Sequence, residues 1–283
     1  MQQPAPIHDA TETTGLDWDL RRTQFLVSKV FGAGQWQKAH PSVRSMADRP
    51  DFCGYHYHEA TGMLDEYIAA NLEERGLWHA LHDRHDFSYL MLKVRANVVA
   101  FVQSLHAVAD TCAHAVYYAL GLDRTAPLKD RNISVAEVLK KLRQHCDAGQ
   151  VEFNAIHKLL LGLTADGDYA YLNALANTSK HRAVVRPGLS EDVTGTRKQR
   201  WVLYLEAFVY QGIAYKKTDV RDFMRSEHDR IQELILLIGR GINDLLAARL
   251  AERNAGFEGA LTDPEGDSID GHGPQSNGCA DQL

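Results

Sequence analysis

One segment of the chain, from Phe87 to Leu120, constrains the fold most because it contains neither glycine nor proline. Its apolar residues recur in steps of three and four, which is the period of one face of an α-helix. The residues on this face are Leu90, Val94, Val98, Phe101, Leu105, Val108 and Cys112. A continuous helix over the segment would be about 50 Å long, and its apolar stripe would need cover from several partners. The segment therefore predicts an α-helical bundle with one long central helix.

Further helices follow from the same periodicity and from local start and stop signals, which together predict a bundle of about seven helices. Besides the long one, they cover approximately residues 17–32, 58–75, 134–146, 150–163, 169–182 and 218–253. Residues 36–56 contain Pro41, Pro50 and Gly54. Because proline removes a helical hydrogen bond, this stretch is predicted to be irregular.

The composition changes after the helix at 169–182. Residues 200–215 are rich in aromatic and β-branched side chains, which favour strands. We predict a small antiparallel β insertion at about 183–215, before the last helix. Gly239 and Gly241 lie within that last helical pattern and follow no strand, so they indicate close helix packing rather than a phosphate-binding loop.

Charge and composition divide the chain into three parts. Residues 1–15 are polar and contain proline, and residues 255–283 carry six acids without any lysine or arginine. Both ends are predicted to be disordered, which leaves residues 16–254 as one helical domain. The acidic tail accounts for the whole formal charge of −6, so the domain itself is formally neutral. A charged tail of this kind would contact a protein partner.

The compartment is predicted from what the sequence lacks. The four cysteines are scattered without a Cys-x-x-Cys pair, and no stretch of eighteen apolar residues is present. The first fifteen residues have neither the basic nor the apolar region of a secretory signal. We therefore expect a cytoplasmic protein without a membrane span.

Asn177, Lys180, His181 and Arg182 close the helix predicted over residues 169–182. Asn177 and His181 are four residues apart, so they share one face of that helix. Lys180 and His181 also suit the negative end of the helix macrodipole, which is a purely structural explanation of the same residues.

These residues, together with Arg95-x-Asn97 and Ser104–Asp110 on the long helix, resemble the HEPN superfamily, the higher eukaryote and prokaryote nucleotide-binding domains. The resemblance implies a helical bundle that is often dimeric. It also implies a metal-independent ribonuclease motif of the Arg-Asn-x-x-x-His type, in which arginine steadies the phosphate and histidine is the acid or base. Ala176 stands at the position of the motif arginine. That difference favours a domain that binds RNA, a nucleotide or a protein partner over an active nuclease.

The resemblance assigns roles to individual residues. His181 would be the acid or base of any catalysis, and Asn177 would orient it. Lys180 or Arg182 would contact phosphate. Asp110 would support these residues by hydrogen bonding to them. Further basic residues would extend the phosphate-binding surface if the β insertion folds over the end of the helix. They are Arg95, Arg186, Lys198 and Arg200, with Tyr204, Tyr210 and Tyr215 available for stacking. The resemblance implies a homodimer, and no cofactor is predicted.

Two other functions are consistent with the sequence. The protein could bind a metal ion through its histidines, or it could be purely structural. His106, Asp110 and His114 are spaced four apart on the long helix and would form one metal-binding stripe. A second cluster between His56 and His85 would bind a transition metal or would simply be a polar linker. The third hypothesis is a structural or interaction protein, in which Asn177 and His181 only cap their helix.

Overall fold

The computed structural model describes residues 18–82, 84–165 and 167–261, and this part of the chain is mainly α-helical with small antiparallel sheets before the last helix. The predicted fold class is thus confirmed. The α-helices are α1 (Leu20–Phe31), α2 (Ala33–Tyr67), α3 (Gly76–His82), α4 (Arg84–His106), α5 (Val108–Ala119), α6 (Val135–Asp147), α7 (Phe153–Gly162), α8 (Gly167–His181) and α9 (Val220–Leu261). None of the described helices combines the length and apolar character that crossing a membrane would require.

Helix α2 corrects the prediction that residues 36–56 are irregular. It continues over 35 residues with Pro41 and Pro50 inside it. Each proline costs roughly 3 kcal/mol in a helix interior, and burial of one long face offsets that cost. The apolar residues of this face are Ala39, Val43, Met46, Cys53, Tyr57, Ala60 and Leu64. Packing against α4, α5 and α9 therefore overrides the local preference.

The segment 58–75 was predicted as one helix and is interrupted instead. A π-helical turn at Ile68–Leu72 ends α2, and Gly76, at a φ of +71°, begins the short helix α3. The histidine-rich stretch that follows, predicted to be a polar linker or a metal cluster, contributes to α3 and to the start of α4.

The predicted continuous helix Phe87–Leu120 is divided at Ala107 into α4 and α5. Ala107 has a ψ of −7°, but its amide still donates to the carbonyl oxygen of Gln103, and the Thr111 amide donates to its carbonyl oxygen. Arg49 of α2 contacts the chain on both sides of this point. Its Nη1 donates to the carbonyl oxygen of Ser104 at 3.2 Å, and its Nε donates to the hydroxyl of Thr111 at 3.0 Å. That hydroxyl donates in turn to the carbonyl oxygen of Ala107 at 2.8 Å, a local bond known to bend helices. A side chain from another helix therefore occupies acceptors on both sides of Ala107.

The predicted starts of α6 and α9 are confirmed. The Ser134 hydroxyl accepts a hydrogen bond from the Glu137 amide at 3.4 Å, and Asp219 accepts from the Arg221 amide at 2.8 Å. Helix α9 extends to Leu261, beyond the predicted end near Arg253. Residues 255–261 of the tail that was predicted to be disordered are therefore helical, and the rest of that tail and residues 1–15 lie outside the described residues.

The β insertion consists of two small antiparallel sheets. Strand β1 (Pro187–Glu191) pairs with β2 (Trp201–Leu205), and β2 pairs with the two-residue strand β5 (Thr218–Asp219). Strands β3 (Phe208–Tyr210) and β4 (Ile213–Tyr215) form a separate hairpin. The sheet of β1 and β2 lies against α3 and α4, where it closes one end of the bundle.

The two glycines of α9 lie where other elements approach closely, as predicted. A Cβ on Gly239 would lie 2.2 Å from the Trp18 ring, and one on Gly241 would lie 2.5 Å from Ile156. We expect Gly239→Ala to lower the free energy of unfolding by about 1–2 kcal/mol, because overpacking outweighs the gain in helix propensity. A Cβ added to Gly62 of α2 would meet no heavy atom within 4 Å. Gly62→Ala is the matched control and should be stabilising by up to about 1 kcal/mol in urea unfolding.

Candidate functional site

Helix α8, which carries the Asn-x-x-Lys-His-Arg residues, runs antiparallel to α4. The amide of Gln103 donates to the carbonyl oxygen of Ala176 at 3.0 Å, and Nε2 of His106 lies 3.0 Å from Oδ1 of Asn173. At about 1.5 Å per residue, this register places Arg95 about 5 Å beyond His181 along the common axis. The end of α8 and Arg95 therefore belong to the same end of the bundle.

Ala176, the residue at the position of the motif arginine, is buried. It is 1% exposed and belongs to the apolar core, and its carbonyl oxygen is held by Gln103 of α4. A side chain at this position is enclosed in the core rather than exposed to solvent. The position therefore lacks the arginine and also lacks the space in which an arginine would reach a phosphate.

Asn177 is oriented by its own helix. Its amide nitrogen donates to Oδ1 of Asn173 at 2.8 Å and to the backbone oxygen of the same residue at 2.9 Å. Asn173 also meets His106, so His106, Asn173 and Asn177 form one chain of polar contacts between α4 and α8. Asp110, which was predicted to support the motif residues, is exposed and is not part of this chain. Sequence reasoning missed Asn173, although its spacing of four from Asn177 was a usable signal.

Lys180, His181, Arg182 and Arg186 form what we call the α8-end patch. All four side chains are exposed, and none has an ion-pair partner among the residues that the structure describes. The helix ends here because the amides of Arg182 and Ala183 both donate to the carbonyl oxygen of Thr178. The patch thus collects three permanent cations and one imidazole within seven residues.

Two other predicted phosphate contacts, Lys198 and Arg200, lie at the opposite end of the β1–β2 hairpin, roughly 16 Å away for five strand residues. Arg200 donates to Glu191 at 2.7 Å and to the carbonyl oxygen of Glu73 at 2.8 Å. The pKa of Glu191 is lowered, first by the hydrogen bond from the Leu77 amide and then by Arg200. Arg200 therefore ties the start of α3 to the sheet, whereas Lys198 is exposed in the turn.

The three tyrosines predicted to stack on bases, Tyr204, Tyr210 and Tyr215, are all half-buried, and two of them pack on other side chains. Tyr215 stacks on Phe208 with ring centroids 5.0 Å apart, and Tyr171 of α8 meets both rings edge-on. Tyr204 lies across Gly188 of the neighbouring strand, with the Lys217 ammonium 3.2 Å from the centre of its ring.

The structure does not gather the predicted metal ligands. His106 contacts Asn173, and Nδ1 of His114 lies 2.9 Å from the carbonyl oxygen of Asp110 within the same helix. In the second cluster, His56 contacts Asn97 at 2.9 Å, and His82 contacts the carbonyl oxygen of Trp78 at 3.1 Å. Within residues 18–82, 84–165 and 167–261, no group of three His, Cys, Asp or Glu side chains is arranged to hold a metal ion.

A cavity of about 810 Å³ lies between α3, α4 and the β1–β2 sheet. Its wall includes Arg95, the predicted phosphate contact on α4, together with Trp78, Phe87, Leu189 and Tyr204. These residues come from three separate parts of the chain, so no local pattern in the sequence indicated the cavity.

Comparisons with known proteins do not assign this chain to a family. No family model matches the chain, and no match was found among curated proteins or among solved structures.

Proposed function

We propose that this protein is an HEPN-like helical domain that binds RNA through the α8-end patch. The observation that carries the proposal is the group of exposed cations at the end of α8, which has no carboxylate partner among the described residues. Unpaired lysine and arginine side chains attract the phosphates of a nucleic acid and release its counterions. Surface cations that are already paired, such as Arg200, contribute less to such a field.

Binding rather than cleavage is the activity that the residues support best. Lys180, Arg182 and Arg186 would contact successive phosphates, and His181 would face the bound strand. A metal-independent ribonuclease needs a cation aimed at the developing charge of the phosphate. The buried Ala176 supplies none, and the cations of the patch lie on other faces of the helix or beyond its end.

The first test is RNA binding by the purified protein in EDTA, measured by fluorescence anisotropy of a labelled single strand over a range of salt concentrations. Wild type should bind, and a Lys180→Ala/Arg182→Ala/Arg186→Ala variant should bind at least tenfold more weakly. Each contact with a single strand contributes about 0.7 to the slope of log K against log salt. The triple variant should therefore lose about two units of that slope.

The matched control removes the same charge elsewhere. Arg131, Lys140 and Arg143 are exposed on or near α6, so their triple alanine variant should bind RNA like wild type. If both triple variants weaken binding equally, the attraction is due to overall charge and the patch is not the site. The same samples should also be scored for cleavage. Cutting by wild type that His181→Ala abolishes at equal thermal stability would make the domain a ribonuclease.

The proposal includes two properties expected from the sequence, namely that the protein forms a homodimer and that it is cytoplasmic. Sedimentation of the wild-type protein with and without RNA measures the first of them directly.

A further inference from the structure

We infer that the cavity between α3, α4 and the β1–β2 sheet binds a small organic anion with an apolar body, whose anionic head is held by Arg95. This inference goes beyond RNA binding and does not depend on it, because the cavity wall contains none of the four residues of the α8-end patch.

The size and lining of the cavity fit such a ligand. Its volume of about 810 Å³ falls within the range of about 300–1,000 Å³ that is usual for small-molecule sites. Apolar side chains supply somewhat more than half of the wall. The larger of them are Trp78, Phe87, Met91 and Leu189, and His82 and Ser88 are polar lining residues besides Arg95. A wall of this kind gives an apolar ligand body a surface to pack on and leaves polar groups for its head.

Arg95 supplies the charge that selects an anion. It lines the cavity, and its Nε is buried without a hydrogen-bond acceptor among the described residues. That Nε is closed off from solvent, so an anion in the cavity would meet the terminal nitrogens of the guanidinium through charge-assisted bonds. No carboxylate is among the described residues of the wall. Among the described residues, the charge of Arg95 therefore faces no carboxylate in the cavity.

The walls are braced by contacts that do not involve a ligand. Glu191 accepts from the Leu77 amide at 2.8 Å and from Arg200 at 2.7 Å, which ties α3 to β1. Tyr204 rests on Gly188, where an added Cβ would lie 2.6 Å from the phenol oxygen. A cavity held open in this way loses little entropy when a ligand enters.

The test uses two probes of the same shape that differ in charge. 8-Anilino-1-naphthalenesulfonate carries a sulfonate, and N-phenyl-1-naphthylamine is its uncharged counterpart. Fluorescence titration of the full chain should show a preference of roughly tenfold or more for the anionic probe, the usual size of a charge-assisted bond. Arg95→Met should abolish that preference and leave binding of the neutral probe unchanged. Arg143→Met, at an exposed site on α6, should behave like wild type.

A second variant tests the place of binding. Ser88 lies exposed at the rim of the cavity, so Ser88→Trp should narrow it without disturbing the core and should weaken both probes. Decanoate and decyl phosphate should displace the anionic probe, and the stronger competitor identifies the preferred head group. Displacement by neither would contradict the inference, as would an Arg95→Met variant that binds the anionic probe like wild type.

The outcome is separable from that of RNA binding. The Lys180→Ala/Arg182→Ala/Arg186→Ala variant should keep the full preference for the anionic probe, since the α8-end patch is not part of the wall. Loss of that preference in the patch variant, at unchanged thermal stability, would assign the anion to the patch and would overturn the role of Arg95.

Discussion

Arg230→Met is expected to lower the free energy of unfolding by about 3–5 kcal/mol, the usual cost of removing one partner from a buried ion pair. Glu227 is 1% exposed, and Arg230 donates to both of its oxygens at 2.9 and 3.0 Å. The same guanidinium donates to the carbonyl oxygen of Gly162 at 3.2 Å, which joins α9 to the end of α7. Without arginine, the carboxylate of Glu227 would stay buried without its counter-charge.

Urea unfolding followed by circular dichroism measures the effect. The double variant Glu227→Leu/Arg230→Met should recover most of the loss, because replacing a whole buried pair with apolar residues is often neutral. Arg143→Met, at an exposed site, should stay within about 0.5 kcal/mol of wild type. If Arg230→Met were as stable as this control, the burial of the Glu227 carboxylate would not depend on its ion pair with Arg230.

Phe101→Ala is expected to cost a similar amount, about 3–5 kcal/mol, through the cavity it leaves. Phe101 is completely buried where α4 meets α2, and the Cys53 thiol lies 3.9 Å from its carbonyl oxygen. Phe52, next to Cys53 on α2, is 56% exposed and offers a control with the same side chain. Phe52→Ala should change stability by less than about 0.5 kcal/mol.

The same urea titration distinguishes the two phenylalanines. The midpoint should fall strongly for Phe101→Ala alone, with an unchanged dependence on urea if the transition remains cooperative. Equal losses at both positions would mean that the face of α2 bearing Phe52 is covered in the folded protein.

Most helices could be predicted from the sequence because their signals are local. Apolar residues at helical spacing predicted α1, α6, α8 and α9, and a polar side chain ahead of α6 and α9 caps each of them. The paired glycines of α9 also indicated close packing without further information. In each case the residues that carry the signal are within a few turns of the element they specify.

The errors arose where distant residues decide the local structure. Pro41 and Pro50 should end a helix, yet the buried face of α2 is long enough to offset them. Arg49 contacts both sides of the division at Ala107 from more than fifty residues away in sequence. The helices that bury the face of α2, and the partners of Arg49, are too far away in sequence for a local pattern of residues to reveal them.

Only part of the candidate site could be predicted, because some of its residues are neighbours in sequence and others are not. The residues of the α8-end patch are adjacent in sequence, so the motif located them together. Arg200 was assigned to phosphate binding because its partner Glu191 and the carbonyl oxygen of Glu73 lie on other elements. The cavity beside Arg95 needed α3, α4 and two strands to be assembled before it existed.

The pairing of α1 with α9 bears on when the molecule can fold during synthesis. Thr23 donates to Asn243 at 2.7 Å, a contact between residues separated by 220 positions. At translation rates of about 5–20 residues per second, α1 and α2 would wait roughly 10–40 s for this partner. Helices α4 and α5 are made earlier and can cover most of the apolar face of α2, but the part that packs on α9 stays uncovered over the same interval. Contacts of such high sequence separation slow folding, so the newly made chain is most exposed to aggregation before its last helix appears.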